Sequence, residues 1–596
     1  MAIIIFIIWS IIASYLGAKI SAKVFPVSRI LNIVLGLFFS LFLLGLAANI
    51  FNAWFKLTDW AIAISGLLVL VLLILGRLVL RPLPPKESSS IDDQPLINWN
   101  FFYWLIFLVL IISSFVVIFS SVSTLRLISP WQVLPDWWIL LIIATSLFVF
   151  GAVFSREKTS RLLIGIILFS LLLHSYLLVY QNGFGGDRWR HLGSESRILS
   201  GLEYQPTLLT NNLWQTQIGR FKVPSALIDR AKLSYGLEWS LEVIANKISG
   251  LDISLINKIL LPLLWSIFLP LIIYVAALLI FNQRQKALLA AALSSSLYLL
   301  QYYGAQGLPA SYGFLTFAGG LLLWLAYLKN PDKRLLVVNL IFTALLYFNY
   351  SLSFILTVVV AVLALALRKN KKLALALGAV SAALMFVLDW DASSRLSFSL
   401  GQIYHTWCDG DLLYFCSSAR LSPLIGEVHL LLDLAVLLLF IVVMIYLLIG
   451  QWKRDNRLKN LLALIFVVIS ASYLTSWLFT NGDHLLSRRL TLFIALPLIF
   501  ILAEAFGSLA KNKKVIFPLV IFLALFTAFN YYSGPVLSVS VSDADLAKAR
   551  NIWPEIKNEN SYCVKDDIEV ILALEYVSAK EFQETVNSAN CAKNGQ

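Results

Sequence analysis

An all-α polytopic membrane fold is what this sequence predicts, on three observations. The first is composition: of 596 residues, 59% are hydrophobic and only 13% are charged, and the mean hydropathy is +0.83. Soluble chains run nearer roughly 45–50% apolar and about 25% charged, so the surplus must face lipid. The second is the presence of about 16 apolar runs near the roughly 20 residues that a helix needs to cross a hydrocarbon core about 30 Å thick. The third is that Lys and Arg gather in every second loop, the signature of membrane orientation. The net charge of +13 therefore reports topology, and nucleic-acid binding is set aside. Four cysteines without a C-x-x-C pair exclude zinc ribbons and thioredoxin-like redox motifs.

The spans fall near 2–22, 29–51, 60–80, 101–122, 137–155, 162–181, 259–281, 287–302, 312–328, 335–349, 351–367, 373–390, 428–450, 460–479, 490–510 and 515–532. The pairs across 287–328 and 335–367 are short, as expected where a chain lines a cavity rather than lipid. Basic clusters such as Lys19, Lys23 and Arg29, then Arg77 and Arg81, and later Lys511, Lys513 and Lys514 mark the cytoplasmic loops, which places both termini on the outer side of the cell membrane. The first run lacks a basic n-region, and its first basic residue, Lys19, comes at its far end, so it reads as a span rather than a signal peptide. Residues 1–81 form an N-terminal three-helix membrane unit, 82–99 a Pro- and Ser-rich cytoplasmic linker, and 100–155 two additional membrane helices. A membrane core spans 156–532, including the outer loop 182–258, and 533–596 form a small soluble outer α/β domain. Cys408 with Cys416, and Cys563 with Cys591, fall in outer segments where an oxidising compartment would let each pair close.

The spans are nearly free of charge. His174 is inside the sixth, and Asp389, Asp433 and Glu504 lie near span ends. A transporter usually places ionisable groups at the midplane and carries an internal repeat, whereas here the polar residues concentrate at the outer face. The densest cluster is Gly183-Phe184-Gly185-Gly186-Asp187-Arg188-Trp189-Arg190-His191, leading to Glu195 and Arg197. Glycines end the span, and Asp187 opens an amphipathic interfacial helix. Asp187, His191 and Glu195, four apart, share one of its faces, and such a carboxylate can take a proton from an acceptor hydroxyl or ligate a metal. The bland reading of Asp187 is a helix N-cap, and of Arg188 and Arg190 an anchor to lipid phosphates.

A second cluster, Asp483-His484-Leu485-Leu486-Ser487-Arg488-Arg489, sets two outer arginines against the positive-inside bias. Arginine suits a lipid-linked phosphate because its planar donors reach two oxygens at once; an ion pair with Asp483 is the alternative. Two turns complete the face, one with Tyr302, Tyr303 and Gln306 and one with Tyr350, where tyrosines serve as interfacial belt residues or line a sugar site. Asp409-Gly410-Asp411 reads as a metal-binding D-x-D or as a turn.

From about residue 160 onward the chain resembles the GT-C superfamily of polytopic glycosyltransferases, whose members use polyprenyl-phosphate-linked sugars and include protein O-mannosyltransferases and lipid A aminoarabinose transferases. The order of features carries the resemblance. A span ends in a loop with an early acid, Asp187, and interfacial helices follow near 188–200 and 233–249, the latter with Tyr235-Gly236-Leu237-Glu238-Trp239. Short helices then run from Lys258 to Lys329, a late span opens on Arg488-Arg489-Leu490, and a soluble C-terminal segment closes the chain. The resemblance implies a GT-C-like core and a catalytic role for Asp187. The expected activity is an inverting hexosyl or pentosyl transfer on the outer face, from a polyprenyl-phosphate donor to a lipid, glycan or protein acceptor. Asp187 is the base, with His191 and Glu195 assisting. Arg188, Arg190, Tyr302, Tyr303, Gln306, Tyr350, Arg488 and Arg489 form the substrate-binding set. No residue is assigned as a metal ligand, and a divalent ion, Mg²⁺ or Mn²⁺, is the one candidate cofactor. Here arginine rather than a second acid follows Asp187, and five spans precede the core. The rival readings are a transporter or flippase of a lipid-linked glycan, and a glycan polymerase or ligase.

Overall fold

In hydrocarbon a backbone has no water to bond, so each apolar run satisfies its N–H and C=O groups internally as a helix. The computed structural model describes residues 2–25, 27–54, 56–80, 101–127, 129–155, 157–201, 215–218, 221–224, 235–389, 456–480, 485–533, 540–556, 563–564, 566–578 and 583–584. The span expected at 428–450, the Asp409-Gly410-Asp411 triplet, Asp433, Asp483 and His484 lie outside the described residues, as do Cys408, Cys416 and Cys591.

The first helices are α1 (Ala2–Val24), α2 (Arg29–Trp54), α3 (Asp59–Val79), α4 (Phe101–Ser120), α5 (Trp138–Val153) and α6 (Thr159–His174). Two amphipathic helices follow, α7 (Asp187–Leu199) and α8 (Gly236–Ser249), separated by a hairpin of β1 (Gln215–Ile218) and β2 (Phe221–Pro224) paired antiparallel. The core continues through α9 (Ile253–Phe281), α10 (Arg284–Leu293), α11 (Tyr298–Gly304), α12 (Pro309–Lys329), α13 (Lys333–Leu345), α14 (Ser351–Lys369) and α15 (Lys371–Asp389). It ends with α16 (Arg457–Thr480), α17 (Leu485–Leu509) and α18 (Lys513–Ser533). The C-terminal unit is α19 (Asp543–Ile556), β3 (Cys563–Val564), α20 (Ile568–Ser578) and β4 (Gln583–Glu584), its strands paired parallel. Ten of the described helices are long and apolar enough to cross a membrane, and the chain is an all-α multi-pass membrane protein.

The run expected as one span over 287–302 is two helices, α10 and α11. Between them Ser294 Oγ donates to Ala291 O at 2.6 Å, and Ser296 Oγ to Ala292 O at 3.3 Å. Serine hydroxyls that bond back to the preceding turn compete with the helix ladder, and Gln301 Nε2 donates to the freed Ser295 carbonyl at 2.9 Å. The run 162–181 likewise leaves α-helix at His174 and finishes as a 3₁₀ turn, Tyr176–Val179.

α1 and α2 cross in direct backbone contact at Gly17 and Gly36, where a Cβ on Gly17 would lie 2.6 Å from the Gly36 Cα. Small residues at such a crossing are how membrane helices approach closely. α2 then packs on α8, and Asn49 Nδ2 donates to Phe348 O at 2.7 Å, so the N-terminal helices brace the interfacial layer. At the opposite end Glu504 on α17 pairs with Lys286 of α10 and Lys459 of α16, each at 3.0 Å.

The C-terminal helices cover α7. Trp189 and Leu192 share an apolar cluster with Val541, Ala549, Val570, Ile571 and Leu574. Arg126, in the loop between α4 and α5, clamps Asp545 with both ends of its guanidinium, with Nε to Oδ2 at 2.9 Å.

Candidate active site

The site grows from a turn that only glycine can make. Gly183 and Gly185 have φ of 85° and 92°, the left-handed region that costs other residues roughly 1–2 kcal/mol. A Cβ at Gly183 would fall on the Arg188 guanidinium. That vacancy lets Arg188 turn inward: Nε donates to Asn257 Oδ1 at 2.6 Å, Nη2 to Ser254 O at 2.6 Å and Oγ at 2.9 Å, and Nη1 to Asn182 O. Burial pushes Arg188 down to about 10, so it remains a cation at neutral pH, tying α7 to the preceding turn and to the start of α9.

Asp187 is not the N-cap. Gly186 occupies that position without a side-chain bond, and Asp187 is the first helical residue, exposed. Its exposed carboxylate thus lies at the positive end of the α7 dipole. One turn on, His191 is buried: its Nδ1 accepts from Trp239 Nε1 at 3.1 Å, and Glu238 Oε2 is 3.5 Å away. Burial pushes His191 down to about 4, with Asp187 raising it and Arg489 and Arg190 lowering it further. It is a neutral imidazole at pH 7.

Two turns on, Glu195 is fully buried against Glu238 and Glu242, which lie on successive turns of α8. Ligand oxygens of the three lie within 4.8 Å of one another. Tyr312 Oη donates to Glu242 Oε1 at 2.8 Å. Among the described residues the Glu195 carboxyl has the Glu242 carboxyl as its one hydrogen-bond partner, and the Glu238 oxygens have none. Burial, then the neighbouring acids, raise Glu195 and Glu238 well above the usual carboxylate range, and burial raises Glu242 to about 7. Three ionised carboxylates cannot coexist there uncompensated. Shared protons or a hard divalent ion satisfies them, and an all-oxygen donor set fits Mg²⁺ or Mn²⁺.

Arg489, in the first turns of α17, acts on the same two residues as Asp187, namely His191 and Tyr235. Its Nη1 donates to the buried Tyr350 Oη at 2.8 Å, and Tyr303 and Tyr235 are within its electrostatic reach. Tyr235 feels Arg489, Tyr350 and Asp187 together, and its ring meets His191 edge-on at 5.3 Å.

Asp187, His191, Tyr303, Tyr350 and Arg489 thus come together, and other expected members point elsewhere. Arg188 is committed to the internal bonds above. Arg190 Nε donates to the fully buried Glu575 of α20 at 3.0 Å, which ties it to the C-terminal unit. Gln306 and Arg188 line a cavity of about 20 Å³ with Asn257 and Lys258, room for about one water and not for a sugar. Tyr302 is half-buried among Phe184 and Tyr298. The side chain of Arg488 lies outside the described residues. Glu238, Glu242, Tyr235 and Trp239 were not singled out as site residues by sequence reasoning. The available signal is Glu238 and Glu242 four apart within the amphipathic run 236–249, where a carboxylate pair has no solvating reason to lie on one buried stripe.

The sequence matches no family model and no curated protein. The structure is similar to that of an Archaeoglobus fulgidus oligosaccharyltransferase in complex with Zn and sulfate, at a TM-score of 0.40 and 14% identity, over 70% of this chain and 62% of that one. It is also similar to the oligosaccharyltransferase AglB of that archaeon in complex with an inhibitory peptide and a dolichol-phosphate, at 0.39 and 13%, over 75% and 64%. The chain spans less than two thirds of the length of either.

Proposed function

We propose that the chain is a GT-C type membrane glycosyltransferase that moves a sugar from a polyprenyl-phosphate donor to a lipid, glycan or protein acceptor on the outer face of the cell membrane. The observation that carries this reading is the shared field of an exposed carboxylate, Asp187, and an arginine held on a tyrosine, Arg489, both felt by His191 and Tyr235. Asp187 takes the proton of the acceptor hydroxyl as the acceptor oxygen bonds to the anomeric carbon. The bond from that carbon to the phosphate oxygen breaks with inversion, and its electron pair stays on the polyprenyl phosphate. Arg489, with Arg488 beside it in sequence, stabilises that charge. His191, neutral and held by Trp239, orients the α7 face. A divalent ion held by Glu195, Glu238 and Glu242 would supply positive charge beneath the reacting centre.

The experiment is turnover of labelled polyprenyl-phosphate sugars by the reconstituted protein, compared with Asp187→Asn. Covalent transfer that Asp187→Asn abolishes, with folding intact, is the expected result. Near-normal turnover by that variant would sink the role of Asp187. Movement of label across the bilayer without a new glycosidic bond would favour a flippase instead.

A further inference from the structure

A second space has none of the candidate site residues in its walls. A cavity of about 370 Å³ sits between α1, α2 and α3 on one side and α12 and α13 on the other, with Val24, Phe39, Leu43, Leu73, Val338 and Ile341 in its walls. This is roughly two and a half times the volume of an engineered cavity of about 150 Å³ that holds benzene. Among the described residues its only polar lining side chain is Ser21, whose hydroxyl is already bonded to Asn32 Oδ1 at 2.7 Å. Water therefore finds no partner inside, and apolar cavities of this kind stay dry.

The walls show where the occupant enters. Leu75 on α3 and Val337 and Ile341 on α13 line the cavity, yet each is half-exposed, at 51%, 50% and 52%, so the space opens sideways into the bilayer. One end is closed by cations. Lys23 Nζ donates to the carbonyls of Arg77 and Leu80 at 2.5 and 2.6 Å, and Arg334 Nη1 donates to Val79 O at 2.9 Å. Among the described residues, Lys19, Lys23, Arg29, Arg77, Lys333 and Arg334 gather at that end, and Asp332, which caps α13 through Arg334 N at 2.9 Å, is the acid beside them.

We infer that this cavity holds an acyl chain of an anionic phospholipid, with the headgroup against the basic ends of α1, α3 and α13. The chain fills a space that neither side chains nor water fill. The phosphate meets a surface where each nearby Lys or Arg strengthens attraction to acidic lipid. The lipid then acts as a wedge that seats α1 to α3 against α12 and α13, independently of the chemistry proposed for Asp187.

The test uses the full-length protein in neutral detergent with equal amounts of phosphatidylglycerol and phosphatidylethanolamine, and counts bound lipid by native mass spectrometry. The expected result is one retained phospholipid, phosphatidylglycerol preferred by about tenfold. Val338→Trp with Ile341→Trp should fill the cavity and abolish retention. Arg77→Gln with Lys333→Gln, both exposed and with no side-chain hydrogen bond to another described residue, should keep the lipid and lose the preference. If the double tryptophan variant does not fold, Ile341→Trp alone, at a position already half-exposed, carries the same test. No retained lipid in the wild type, retention unchanged by the tryptophans, or displacement by polyprenyl phosphate would each overturn the inference.

Discussion

Replacing Arg188 by Met tests whether this arginine holds the protein or the substrate. Its guanidinium makes four hydrogen bonds, to Asn257 Oδ1, Ser254 O, Ser254 Oγ and Asn182 O. Hydrogen bonds of a charged group contribute about 1.5–3 kcal/mol each, so the gross gain is on the order of 6–12 kcal/mol. Taking the cation out of water offsets several kcal/mol of that, and the removal leaves the buried Asn257 Oδ1 without the Arg188 donor. The net loss should be about 3–5 kcal/mol, the range for breaking a buried charged network. Native-state hydrogen exchange in detergent micelles reads this directly. Amides of α7 should exchange roughly 10²–10⁴-fold faster in Arg188→Met, at about 1.4 kcal/mol per decade. Arg188→Lys, which keeps the charge but loses the planar fork, should fall between. Unchanged exchange in Arg188→Met together with a tenfold loss of donor affinity would refute the reasoning and return Arg188 to phosphate binding.

Three further outcomes follow from the same geometry. Gly183→Ala places a methyl on the Arg188 guanidinium and a side chain at φ 85°; it should reproduce the exchange pattern of Arg188→Met, and a wild-type pattern would contradict the packing described. Arg489→Ala should lower kcat/KM for a polyprenyl-phosphate donor by about 10²–10³, the scale for losing one donor to developing charge, while Arg489→Lys recovers part of it; a change below twofold would remove Arg489 from the site. Burial raises Asp545, but the bonds from Arg126 and Ser542 outweigh it and hold the carboxyl below its ordinary value. A depressed folded value means that the stabilisation is complete above the unfolded value, about 3.9, and fades as pH falls through the lower folded one. Acid should therefore release the C-terminal helices below about pH 4, read as protease sensitivity of residues 540–578. Asp545→Asn should be sensitive at every pH, and an unchanged acid profile in that variant would exclude this link.

Membrane architecture was legible in the sequence because the solvent imposes it: apolar length and the placement of Lys and Arg are local quantities. The break at Ser294–Ser296 was not, since serine in an alanine- and leucine-rich run ends a helix only when its hydroxyls turn back onto the ladder. Asp187 and Arg489 could be nominated from polarity against an apolar background. Arg188 and Arg190, two residues apart, read alike in sequence. They part in three dimensions because Gly183 opens a slot for one and α20 brings Glu575 to the other. The meeting of Glu195 with Glu238 and Glu242 depends on how α7 crosses α8, which no spacing within either helix encodes.

The cover that α19 and α20 place over α7 has a temporal consequence. A chain emerges from its N-terminus, so α7 is made long before residues 541–574 exist to shield Trp189 and Leu192. Until residues 541–575 are made, those side chains lack this apolar cover and Arg190 lacks Glu575. Two helices made much later along the chain are thus the ones that finish the helix bearing Asp187. Translation arrest before α20 should leave a product whose α7 amides exchange faster than in the chain that carries α20.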